Sequence, residues 1–244
     1  MASSRQLKSK IQSVRNIKQI TKAMQMVAAT KMRRAQETAL QARPYAKNAL
    51  ALLSRLLQHM EGGTIPMLAK PQEKQTGKVC LVVVTSDRGL AGSFNNNVLR
   101  ASWNLKSELE QQGKSVAIIA AVGRRGRDFF QNRGVEVTAE FLKFSDMISI
   151  HDVNPLSEWI LKEYEAGNYD EIFVCSTQFV SALVQQVEVN KILPLSIEEL
   201  QKIVSNILPK TGKYAEVVDE VPDQDITEYI FEPAKQQIAE ELAR

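Results

Sequence analysis

From Gln6 to Met60 the chain carries no glycine and a single proline, Pro44, and its apolar residues recur at helical spacing. The pattern predicts one long helix over residues 3–60, about 87 Å if unbroken. Ser3 and Gln6 stand at capping-box spacing, and Glu61-Gly62-Gly63 closes the run. Pro44 lacks an amide hydrogen and is expected to kink the helix or divide it. A helix of this length exceeds the diameter of a small domain, so it is expected to project beyond its own core. Leu7, Ile11 and Val14 share one stripe, and Ile17, Ile20 and Met24 walk away from it around the axis. Ala23, Met24, Met26, Val27, Ala28 and Ala29 then occupy nearly the whole circumference. A helix that is apolar all round is buried all round.

Beyond the glycine pair the pattern changes. Continuous apolar, β-branched runs at Lys78–Thr85 and Ser115–Val122 predict strands covered on both faces. Further strands are expected at Val135–Phe141, Asp170–Ser176 and Val184–Leu193. Helical patterns fall at Asn95–Gln112 and Pro155–Ala166, with a short basic helix or turn at Gly123–Asn132. Ser196–Ile207 reads as weakly helical, Pro209–Asp225 as a polar loop, Ile226–Pro233 as extended, and Ala234–Arg244 as the start of a helix. Strands alternating with helices imply a mainly parallel sheet. The expected class is α/β: a long N-terminal coiled-coil-type helix plus a parallel-sheet α/β/α, Rossmann-like domain. The expected divisions are 1–63, 64–225 and 226–244.

Charge sharpens the picture of the first helix. Residues 1–43 hold ten Lys/Arg and one acid, Glu37, for a net +9, whereas the whole chain is only +3. Lys18, Lys22, Lys31, Arg33 and Arg34 flank the apolar turn. The helix reads as a basic rod with an apolar collar, to be held by something outside its own domain. The plainer alternative is a long core helix with a solvated basic face. A membrane-surface helix would keep its apolar residues on one side, which the collar does not. A nucleic-acid rod would want interleaved aromatics for single strands, and residues 1–44 contain none. No run approaches 18 apolar residues, so no membrane span is expected, and neither a signal nor a transit peptide is recognisable at the N-terminus. Cys80 and Cys175 lie inside strand-like runs and read as buried thiols.

Candidate chemistry is sparse. Ser86–Ser93 supplies only Gly89-x-x-Gly92, short of a dinucleotide fingerprint, and fits a tight strand-to-helix turn. Gly113-Lys114-Ser115 imitates the end of a phosphate loop, but Glu108 takes the leading glycine position and a strand follows. Gly123-Arg124-Arg125-Gly126 could meet a phosphate and reads more simply as a surface turn. Asp87 and Arg88 sit at the carboxyl end of a strand, where α/β active sites lie, and are expected to pin the turn. His59 and His151 are the only histidines, His59 just before a glycine turn and His151 expected in a loop, and neither has a partner at metal-ligand spacing. No catalytic, cofactor or metal site is expected.

Three stretches carry a resemblance. NIKQITKAMQMVAATKMRRA at 16–35 followed by Arg43-Pro44-Tyr45, SDRGLAGSFN at 86–95, and EYIFEP at 228–233 together resemble the gamma subunit of F-type ATP synthases. The match runs over essentially the whole chain. The resemblance implies a non-catalytic central shaft inside three alpha and three beta subunits, with a globular foot beside the epsilon subunit on the c-ring. Proton flow turns the ring, and the shaft drives the beta subunits through their states.

Lys18, Ile20, Lys22, Met24, Val27, Lys31, Arg33 and Arg34 are then expected to face alpha and beta. Tyr229, Phe231 and Glu232 are expected near the c-ring and epsilon. No nucleic acid, small-molecule substrate or membrane insertion is implied. The expected location is peripheral, on the cytoplasmic face of a bacterial plasma membrane. The photosynthetic insertion is absent, which points to a non-photosynthetic bacterium. The family's second long helix is expected to begin at Ala234, and the sequence ends at Arg244 as it starts. Two other readings stay open: an α/β nucleotide-binding enzyme using Asp87–Gly92, and a basic nucleic-acid rod. Tight stoichiometric binding of labelled ATP would favour the first, and steeply salt-dependent binding to duplex DNA the second.

Overall fold

The computed structural model describes residues 4–58, 77–144, 148–181 and 183–196, with 199, 202 and 203. Helix α1 runs Ser4–Gln58 without interruption. Pro44 lies inside it and does not divide it. One backbone bond is lost there, but Ala39, Leu40, Ala42, Ala46, Ala49 and Leu52 are strong helix formers that carry the helix past the gap. The chain parts into two compact units at Tyr45/Ala46, so the last turns of α1 belong with the α/β unit.

In that second unit the order is β1 (Lys78–Val84), α2 (Phe94–Gln111), β2 (Ser115–Val122), α3 (Arg124–Gln131), β3 (Val137–Glu140), α4 (Ile150–Glu165), β4 (Glu171–Phe179) and β5 (Gln185–Leu193). The strands form one sheet in the order β3-β2-β1-β4-β5. The first four are parallel, and β5 returns antiparallel to β4, with Cys175 opposite Val189.

β1 is the centre of both core layers. On one face Val79, Leu81 and Val83 pack with Val98, Leu99 and Leu109 of α2 and Phe130 of α3. On the other, Cys80 and Val82 pack with Ile160 and Tyr164 of α4 and Leu53 of α1. The strand's alternation thus serves two layers, which is why it reads as unbroken apolar sequence. Cys175 faces the α2 layer, so the two free thiols lie on opposite sides of the sheet.

Two expected boundaries shift for local reasons. α4 begins at Ile150 rather than Pro155, because the Asp152 carboxylate accepts from the Ser149 N–H at 2.7 Å and its hydroxyl at 2.9 Å. These bonds hold the carboxyl below its usual range, the backbone one contributing most. His151 therefore lies in a first helical turn, not a loop. β3 starts two residues late, because the Val135 N–H is committed to the Phe130 carbonyl at 3.0 Å in the turn that ends α3.

Phe130 is fully buried. Phe130→Ala is expected to cost about 3–5 kcal/mol, read from urea unfolding. Burial pushes the Cys80 thiol far up and Cys175 to about 12. An unfolded thiol ionises near about 8.5, so both should resist iodoacetamide at pH 8 until urea is added. Because the folded values are raised, their contribution to stability is full below that unfolded value. It should fall as pH climbs towards 12, seen as a falling urea midpoint.

Candidate functional site on helix α1

Residues 4–35 of α1 are exposed throughout. Ile20, Met24 and Val27 stand at i, i+4 and i+7, so they share one stripe, and each is more than half exposed, at 59%, 54% and 57%. Ile17, three residues before Ile20, continues that stripe, Met26 and Met32 lie on other sides, and all three are equally open. Contiguous apolar exposure of this kind marks an interaction surface. The sequence-predicted collar is therefore present as a band around the helix.

Lys18, Lys22, Lys31, Arg33 and Arg34 are exposed on the same turns. Glu37, the one acid of this segment, pairs with Arg33 at 3.0 Å. Thr21 and Thr30 turn their hydroxyls back onto the Ile17 and Met26 carbonyls, both at 3.0 Å, so they add no outward donor. The surface is thus apolar with a positive field around it. It contains Met32, which sequence reasoning passed over; its signal was an apolar residue set between Lys31 and Arg33. Tyr229, Phe231 and Glu232 lie outside the described residues.

The alternative site, at the carboxyl end of β1, is occupied by structural bonds. Asp87 accepts the Arg124 N–H at 3.0 Å, and Asn95 accepts the Ser86 N–H at 2.9 Å. Thr85 accepts the Gly126 N–H at 2.9 Å. The Arg125 guanidinium fills the space beside Gly89 that a Cβ would take. Gly123 has φ +91°, and a Cβ there would meet the Thr85 carbonyl and Ser86 backbone at 2.4 Å. Asp87 thus pins its turn, as the plainer sequence reading expected, whereas Arg124-Arg125-Gly126 open helix α3, with Gly126 buried, rather than forming a surface turn. Among the described residues no group of His, Cys, Asp and Glu could hold a metal ion.

A family model described as ATP synthase matches residues 3–244. The chain is 37% identical over 238 residues to the ATP synthase gamma chain of Desulfitobacterium hafniense, covering 98% of this chain and 74% of that one. It is 36% identical over 242 residues to the ATP synthase gamma chain of Pelotomaculum thermopropionicum, covering 99% and 76%. The chain belongs to the ATP synthase gamma family.

The fold agrees with that of a chain in the central stalk and c-ring structure of the Tetrahymena thermophila mitochondrial ATP synthase. The TM-score is 0.56 at 17% identity, covering 92% of this chain and 89% of that one. Among the described residues no helix is long and apolar enough to cross a membrane.

Gly123→Ala should destabilise the α/β unit by about 2 kcal/mol or more in urea unfolding, since the added methyl meets backbone at a positive φ. In the isolated chain, trypsin should cut between Lys18 and Arg34 before it cuts the sheet, because an unsupported helix frays at little cost. Resistance of the segment through Met26 would show that the collar is covered within the chain.

Proposed function

We propose that this chain is the rotor subunit of the central stalk of an F-type ATP synthase, coupling proton-driven rotation of the c-ring to ATP synthesis or hydrolysis in an alpha-beta hexamer. Family membership supports the assignment. The observation that carries the mechanism is the exposed collar of α1. A bearing must fit closely without strong directional bonds, and methionine, valine, isoleucine and alanine side chains provide such a surface. Ile20, Met24 and Val27 form its contact stripe with the alpha and beta subunits. Lys18, Lys22, Lys31, Arg33 and Arg34 supply attraction to acidic loops of the beta subunits, which steers docking and holds register.

No residue of this chain performs chemistry in this reading. The turning helix changes the relative energies of catalytic states held by its partners, and those states bias the helix in return. Stiffness is what torque requires, and the absence of glycine from α1 provides it. Tyr229, Phe231 and Glu232 belong to the foot, against the epsilon subunit and the c-ring. The complex sits peripherally on the cytoplasmic face of a bacterial plasma membrane. Against the nucleotide-binding alternative stand the Asp87–Arg124 bond and the Arg125 side chain over Gly89, which already use the groups such a site would need.

Reconstitution with alpha and beta subunits provides the test. The wild-type chain should co-purify with a hexamer that shows central density in negative stain and hydrolyses ATP. Replacing Met24 and Val27 by glutamate buries two unpaired carboxylates in the sleeve. At about 3 kcal/mol or more for the pair, the affinity for the hexamer should fall more than about a hundredfold. Full assembly and activity in the doubly charged variant would overturn the bearing.

A further inference from the structure

A second surface lies on the α/β unit, between α2 and α3. Asn96, Arg100 and Trp103 stand at i, i+4 and i+7 on α2 and line a cavity of about 340 Å³ with Leu99, Phe129 and Arg133. Leu99 and the aromatic rings make its floor apolar. The Arg133 guanidinium lies over the Phe129 ring, 3.6 Å from the centroid, and 5.7 Å from that of Trp103. One of its nitrogens, Nη1, donates to the Phe129 carbonyl at 3.2 Å. A guanidinium held this way has little freedom left to lose and keeps further N–H groups in its plane for a carboxylate.

The local charge is unbalanced. Among the described residues neither Arg100 nor Arg133 has a carboxylate partner, while the acids nearby are engaged: Asp128 with Arg127 at 2.9 Å and Glu110 with Lys106. A second cavity, which shares Asn96, Leu99, Phe129 and Arg133 in its lining, also includes Arg125. Cations on the rim of an apolar floor match a segment with an apolar anchor between acids. A nucleobase fits less well, since Arg133 already covers a face of Phe129.

We propose that the α2–α3 groove docks an acidic peptide segment of a partner protein. An aliphatic side chain of that segment sits on Leu99 and Trp103, and its flanking carboxylates pair with Arg100 and Arg133. The groove belongs to the α/β unit and shares no residue with the collar of α1, so this inference does not rest on the rotor reading.

The test uses the full chain with Trp159→Phe, which leaves Trp103 as its one tryptophan, and a twelve-residue peptide of glutamate and leucine carrying a nitrophenylalanine quencher. Saturable quenching of Trp103 is expected, with the apparent Kd raised about tenfold or more by Arg100→Gln with Arg133→Gln. A lysine-for-glutamate peptide should not quench. Quenching unchanged by the arginine substitutions would overturn the proposal. So would binding without quenching, which places the peptide on basic α1. Stronger quenching by anionic phospholipid vesicles or by ATP carrying the same quencher would reassign the groove to a membrane or a small molecule, and also overturn it. In the otherwise native chain, benzoylphenylalanine at Asn96 should crosslink the glutamate–leucine peptide on irradiation. Failure to crosslink counts against the groove even if the tryptophan variant misfolds.

Discussion

Strand β1 has a hydrogen-bonded neighbour on each side and an apolar layer on each face, and the α/β unit depends on keeping all four satisfied. Its backbone groups are paired with β2 and β4, so no polar main-chain atom needs water. Its odd-numbered valines and leucine hold α2 and α3, and Cys80 and Val82 hold α4 and Leu53 of α1. A polar side chain at any of these positions would lack both water and a partner. Charge is therefore confined to the exposed first residue, Lys78, and to the turn beyond the strand, where the Asp87 carboxylate ties that turn to the start of α3.

Helix α1 obeys the opposite rule over its first unit. Every apolar face of the sheet has a covering layer, whereas Ile20, Met24 and Val27 have none within the described residues. The hydrophobic effect that stabilises the α/β unit is left unused there, available for association. The basic residues on the same turns add a field that reaches farther than the contact itself. An acidic sleeve with an apolar lining would be the complement of that surface.

Phosphate-like motifs in the α/β unit illustrate how one residue pattern serves two purposes. A glycine-rich turn between strand and helix can admit an anion or can admit another turn. Here the space at Gly123 is filled by the Thr85 and Ser86 backbone, and that at Gly89 by Arg125. The Asp87 carboxylate stabilises the first amide of α3, where a helix N-terminus favours negative charge. Arg133, by contrast, stacks on an aromatic ring and keeps donors to spare, which is why the α2–α3 groove rather than the loop is the surface suited to an acidic ligand.

The sequence alone determined the long helix, its collar and the two central strands. Glycine-free helical spacing and unbroken β-branched runs are local signals that do not need a partner to be read. The family signature on residues 16–35 was legible in the same way. Tertiary structure decided what local pattern cannot carry. β5 has the same apolar and polar mixture as a parallel strand, and its reversal follows from the short turn after β4. The start of α4 was hidden because Pro155 resembles a first-turn residue, while the Ser149–Asp152 bonds that start the helix are side-chain geometry. The groove of Trp103, Phe129 and Arg133 joins two helices with strand β2 between them in the chain, and packing both against β1 and β2 brings their side chains together.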